Sequence, residues 1–127
     1  MNSDKLTIAR ERLQISPIDE WSVYKKRPLV IAGPCSAESE EQVMTTAAAL
    51  AASGRVDLFR AGIWKPRTRP GQFEGVGSAG LKWLRQVRET YNLPVAVEVA
   101  TERHVYEALK HGVDAVWIGA RTSVNPF

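Results

Sequence analysis

Four cations, Arg60, Lys65, Arg67 and Arg121, are the side chains whose type and position most readily do chemistry. Two arginines and a lysine around one mouth hold a phosphate and a carboxylate through charge-assisted, partly bidentate bonds. The competing expectation is solvated loop charge, the fate of most Lys and Arg. Cys35 follows Gly33-Pro34; as a thiolate it is a ligand or nucleophile, as a thiol a small buried hydrophobe. Glu98 alternates out of the apolar run Pro94 to Val99, where a carboxylate suits a proton relay or an orienting hydrogen bond, against a plain edge carboxylate in water. His104 and His111 lie seven residues apart on a predicted helix, outside any strand end, which favours surface or packing roles. Trp21, Trp64, Trp83 and Trp117 read as core or rim rather than as stacking platforms. No Walker motif, GxGxxG, HExxH or nucleophile elbow is present.

The charge is local. The 127 residues hold 17 basic and 14 acidic side chains, a net +3. Five bases (Arg55, Arg60, Lys65, Arg67 and Arg69) and one acid, Asp57, fall between Arg55 and Arg69, leaving 12 bases against 13 acids elsewhere. Nucleic-acid binders spread basic residues along a face; a single knot fits a small anionic ligand. The 44% hydrophobic and 24% charged fractions are those of an ordinary globular protein, and the length suits one domain. One cysteine makes no internal disulfide. The longest wholly apolar run, Ala47 to Ala52, is too short to cross a bilayer. Met1 to Arg12 is too mixed for a signal peptide. The expectation is a cytoplasmic protein with no nucleic-acid or membrane partner.

The elements that must position these groups follow from periodicity. Residues 1–28 read as an extension with a short helix or strand, ahead of a main fold over 29–127. Leu29 to Ala32 is a buried strand stopped by Gly33-Pro34. Ser39 and Gln42 form a capping box before a stripe of Val43, Met44, Ala47, Ala48, Leu50 and Ala51, and Gly54 stops that helix. Val56 to Phe59 is a second strand, followed by a long Gly, Pro and Arg-rich stretch, Ala61 to Gly77, of the kind that tends to be functional. Ser78 is placed to cap a helix carrying Leu81, Leu84, Val87 and Tyr91, ended by Asn92. Pro94 to Val99 is the third strand. Thr101 caps a helix with Val105, Ala108 and Leu109 inward, and Gly112 ends it. Ala115 to Ile118 is the fourth strand. This βα alternation means a parallel sheet covered by helices, open or part of a barrel. Cys35, Arg60, Lys65, Glu98 and Arg121 all fall at or past the C-terminal end of a strand, the edge where such folds bind ligands.

Three strings carry a family resemblance: Ala32-Gly33-Pro34-Cys35-Ser36, Arg60 with Lys65-Pro66-Arg67-Thr68, and Ile118-Gly119-Ala120-Arg121-Thr122 with Asn125-Pro126-Phe127. Over residues 28–127 the chain resembles the type I 3-deoxy-D-arabino-heptulosonate 7-phosphate (DAHP) synthases. The related KDO-8-phosphate synthases typically carry Lys-Ala-Asn-Arg where this chain has Lys-Pro-Arg-Thr. The resemblance implies the α/β class and the (β/α)8 TIM-barrel family, with about the first four β/α units present behind an N-terminal extension. It implies condensation of phosphoenolpyruvate with erythrose 4-phosphate at the head of the shikimate pathway, assisted by a divalent metal (Mn, Fe, Co or Zn). By motif position it implies Cys35 as a metal ligand and Arg60, Lys65 and Arg121 as holders of phosphoenolpyruvate. Pro66, Arg67 and Thr68 would meet erythrose 4-phosphate, and Lys65 and Glu98 would stand at the reacting carbons.

A (β/α)8 barrel needs ~250 residues, so four strands amount to half of one. The family's other metal ligands, a His, a Glu and an Asp, come from later strands with no matching position in these 127 residues. The polypeptide by itself is therefore expected to be inactive, and to form a homo-oligomer or associate with a second half-barrel. The rival expectations are a non-catalytic half-barrel that binds phosphate and carboxylate, or serves as a partner subunit, and a nucleic-acid binder built on the basic knot.

Overall fold

The computed structural model describes residues 15–65, 71 and 73–125. A short 3-10 turn (Ile18–Glu20) precedes β1 (Ile31–Ala32), α1 (Glu40–Ser53), β2 (Leu58–Arg60), α2 (Ala79–Tyr91), β3 (Val95–Val99), α3 (Glu102–Lys110), β4 (Ala115–Ile118) and a single helical turn, α4 (Ala120–Ser123). The four strands form one parallel sheet in the order β1-β2-β3-β4. Each step to the next strand is made through a helix or helix-bearing connection, as parallel pairing requires.

Period-two alternation divides the sheet into two faces. Phe59, Val95, Val97 and Val99 pack with Val43, Ala47, Leu81, Leu84, Val87 and Ala108 into one buried core. Arg60, Ala96, Glu98 and Trp117 alternate with those positions and fall on the opposite face. The apolar stripes read from the sequence thus bury one side of α1 and α2 and Ala108 of α3, and leave Arg60 and Glu98 on the other face of the sheet.

Local signals fix the helix ends. Ser39 Oγ accepts from the Gln42 N–H at 3.1 Å, and Gln42 Oε1 accepts from the Glu38 N–H at 2.8 Å. The capping box therefore forms with its return bond one residue earlier than the usual pattern. Gly54 (φ 66°) ends α1 and Asn92 (φ 52°) ends α2, both left-handed as expected. Thr101 Oγ1 accepts from the His104 N–H at 3.1 Å and caps α3.

Three expectations need correction. Ser78 makes no side-chain cap, because its backbone is already helical (φ −59°, ψ −21°); the turn closes instead through Gly80 N–H to the Gly77 carbonyl at 3.0 Å. Leu109 is not inward but 63% exposed, since no described element covers that flank of α3. The first strand is only two residues long. Ahead of it, Val30 donates its N–H to Asp57 Oδ2 at 2.8 Å and its carbonyl accepts from the Asp57 N–H at 2.9 Å. Asp114 repeats this two-way clasp on Val95, with bonds of 2.9 and 3.0 Å, and is held in turn by Arg88. Both aspartates sit just before a strand, and both brace the N-terminal edge of the sheet, away from the edge that gathers the candidate site.

Candidate active site

The C-terminal edge of the sheet collects the residues singled out by type. Cys35 lies in the loop after β1, Arg60 ends β2, Lys65 follows it in the β2–α2 loop, Glu98 is the penultimate residue of β3, and Arg121 stands on α4 just past β4. Because β1 to β4 are neighbours in order, these five positions share one edge. Pro66, Arg67 and Thr68 lie outside the described residues.

Lys65 and Cys35 make the tightest contact. Lys65 Nζ donates to the Cys35 carbonyl at 3.0 Å and to Cys35 Sγ at 3.4 Å. The bond from Lys65 and its charge, aided by Arg60, draw the exposed Cys35 thiol below the ordinary thiol range. A cation beside sulfur stabilises the thiolate, the form that binds metals and attacks electrophiles. Gly62 makes this contact possible: a side chain there would collide with the Cys35 carbonyl and crowd Lys65 Nζ. Beside Cys35, Ser36 Oγ is buried with no hydrogen-bond partner among the described residues.

Arg60 is partly buried, and its guanidinium carbon lies 5.6 Å from the centroid of the Trp117 ring. An aromatic face at that distance attracts the cation and limits where it points. Trp117 is the register partner of Glu98 on β3. The Glu98 carboxylate packs against Gly119, where a methyl group would overlap it. Arg121 is exposed. Arg60, Lys65 and Cys35 are thus brought together, whereas Glu98 and Arg121 share the edge without joining that contact.

Two aromatic features were missed by composition. Trp64 stacks on His104, and Trp117 underlies Arg60, so two tryptophans do serve as platforms, for protein side chains. The nearest sequence signal is adjacency: Trp64 precedes Lys65, and Trp117 precedes the Ile118-Gly119-Ala120-Arg121 string.

Among the described residues no group of three or more His, Cys, Asp or Glu is placed to hold an ion. Cys35 offers one soft donor, and one donor does not make a metal centre. Among the described residues, too, no helix is long and apolar enough to cross a membrane.

A parallel βα sheet with cations and a thiolate-prone cysteine on its C-terminal edge is the ligand-binding arrangement of α/β proteins, open-sheet or barrel. Comparison with known proteins makes this specific. Residues 18–126 match the DAHP synthetase I family. Phospho-2-dehydro-3-deoxyheptonate aldolase of Thermotoga maritima is 40% identical over 96 residues, covering 76% of this chain and 28% of that protein. The crystal structure of that Thermotoga maritima enzyme (DAHP synthase) superposes with a TM-score of 0.67 at 39% identity, over 76% of this chain and 28% of the other. A 2-dehydro-3-deoxyphosphooctonate aldolase of Paracidovorax citrulli is 38% identical over 97 residues, 71% of this chain and 34% of that protein. The chain belongs to the DAHP synthetase I family. Its four strands and their helices correspond to the first β/α units of the family's barrel, and it spans roughly a third or less of the length of these relatives.

Proposed function

We propose that this chain supplies the phosphoenolpyruvate-holding part of a DAHP synthase, the transferase that condenses phosphoenolpyruvate with erythrose 4-phosphate. The observation that carries the reading is the Arg60, Lys65 and Cys35 cluster on the ligand-binding edge of the sheet, with Lys65 Nζ 3.4 Å from the thiol. In this reading Arg60, Lys65 and Arg121 neutralise the phosphate and carboxylate of phosphoenolpyruvate, and the Trp117 ring fixes the direction of Arg60. Charge neutralisation lets two anionic substrates approach, and fixed orientation converts their encounter into a reaction within one complex. Pro66, Arg67 and Thr68 are assigned to erythrose 4-phosphate, and Lys65 and Glu98 to the reacting carbons. The Lys65-Pro66-Arg67-Thr68 string favours the heptulosonate reaction over the octulosonate one.

Cys35 is assigned as one ligand of a divalent metal, with Mn, Fe, Co and Zn all acceptable to a thiolate-containing set. The described residues do not complete that set. Condensation therefore requires groups beyond the described ones. The 127-residue polypeptide by itself is expected to bind phosphoenolpyruvate without forming DAHP; product formation by the purified, mass-verified polypeptide would refute this.

Calorimetry tests the binding. Lys65→Met or Arg60→Ala is expected to weaken phosphoenolpyruvate binding by about 10- to 100-fold, the usual loss for a charge-assisted bond. Binding unaffected by either change, or absent from the parent chain, would refute the assignment. A steep salt dependence of affinity for nucleic acid would instead support the rival reading of the basic knot.

A further inference from the structure

His104 touches both loops that flank the site. Its ring stacks on Trp64, with centroids 4.1 Å apart and planes 5° from parallel. Its Nδ1 accepts from the Ala100 N–H at 3.1 Å, so the neutral ring carries its proton on Nε2. Its own N–H donates to Thr101 Oγ1. Trp64 directly precedes Lys65, while Ala100 and Thr101 directly follow β3, which carries Glu98. The backbone around Trp64 is secured by Lys65 N–H to the Glu74 carbonyl at 2.7 Å and by Gly77 N–H to the Ile63 carbonyl at 2.9 Å. Across the gap to α3, the ring stack is a direct side-chain link between the two segments.

We propose that His104 is a positioning residue whose stack on Trp64 clamps the β2–α2 loop to the start of α3 and so holds Lys65 Nζ against Cys35. The inference concerns where Lys65 sits; it rests on the proposed function only for what Lys65 then binds. His104 divides its work between two contacts that substitution can separate. Asparagine keeps an acceptor for the Ala100 N–H and loses the stack. Phenylalanine keeps the stack and loses the acceptor.

Cys35 is the chain's sole cysteine and reports on its neighbour. An ammonium beside sulfur raises the thiolate fraction; each unit of thiol pKa changes that fraction tenfold and, after the loss of intrinsic nucleophilicity, the alkylation rate about threefold. The experiment measures iodoacetamide alkylation of the whole 127-residue chain near neutral pH, with chelator present and circular dichroism checking the fold. Lys65→Met sets the rate without the ammonium. His104→Asn is expected to slow alkylation toward the Lys65→Met rate, and His104→Phe to stay within about twofold of the parent. Trp64→Ala is expected to follow His104→Asn. Equal rates in the parent and His104→Asn would overturn the clamp, as would slowing in His104→Phe alone, which would mark a helix cap only, or equal slowing in both, which would mark a general loss of local structure. A Lys65→Met rate equal to the parent would overturn the placement of Lys65 itself. Phosphoenolpyruvate calorimetry on the same proteins separates the two ideas: the alkylation pattern without ligand binding keeps the clamp and refutes the proposed function.

Discussion

At the residue scale, environment rather than identity decides what a side chain can do. Cys35 is one exposed thiol among many residues of a basic loop region, yet Lys65 at 3.4 Å shifts it toward thiolate. His104 is also shifted downward, which for an imidazole favours the neutral form. Partial burial and the nearby Arg103 charge lower its pKa from 6.5, so the folded chain keeps the ring neutral where an unfolded chain begins to protonate it. In the window between the lowered folded value and 6.5, the unfolded state binds more protons and stability rises with pH. The contribution is complete above the unfolded value and is lost as pH falls through the folded one. Urea denaturation between about pH 5 and 7.5 is expected to show this slope. It is expected to be smaller in His104→Phe, and an identical slope in that variant would assign it to other groups.

At the element scale, helix ends show which sequence signals act and which are coincidental. Ser39 and Ser78 look alike as caps in the sequence, but only Ser39 accepts a helix N–H. Ser39→Ala is expected to cost about 1 kcal/mol, whereas Ser78→Ala is expected to be close to neutral; equilibrium denaturation of the two variants reads the difference. A loss of similar size in Ser78→Ala would contradict the helical backbone seen there. The two aspartate clasps work at the same scale. Asp57 and Asp114 accept the N–H groups of Val30 and Val95 and so hold the starts of two apolar runs at the same edge of the sheet.

For the whole molecule, the open sheet dominates. Among the described residues β1 and β4 are the edge strands, and β4 exposes Val116 at 40% and Ile118 at 65%. Ile31 on β1 is 50% exposed. Unpaired parallel edges flanked by apolar side chains are templates for another chain. The 127-residue polypeptide is therefore expected to self-associate, seen as concentration-dependent sedimentation, and Ile118→Lys is expected to shift it toward monomer. A sharp monomer at high concentration would refute this expectation. A second half-barrel that completes the sheet would compete for the same edges.

The βα order, the left-handed stops at Gly54 and Asn92 and the caps at Ser39 and Thr101 were legible in the sequence, because each depends on residues within about one helical turn. So was the strand-end address of Cys35, Arg60, Lys65, Glu98 and Arg121, since a run of apolar residues announces where its strand stops. What the sequence could not show were contacts between segments far apart in the chain. Lys65 on Cys35, Arg60 over Trp117, Glu98 against Gly119 and His104 on Trp64 each join different loops or strands. The exposure of Leu109 belongs with them, because it depends on what packs beside α3. Sequence alone determined the elements and the edge that carries the chemistry. Only the tertiary structure decided which of those groups touch, because strand order and register are set by core packing across the sheet.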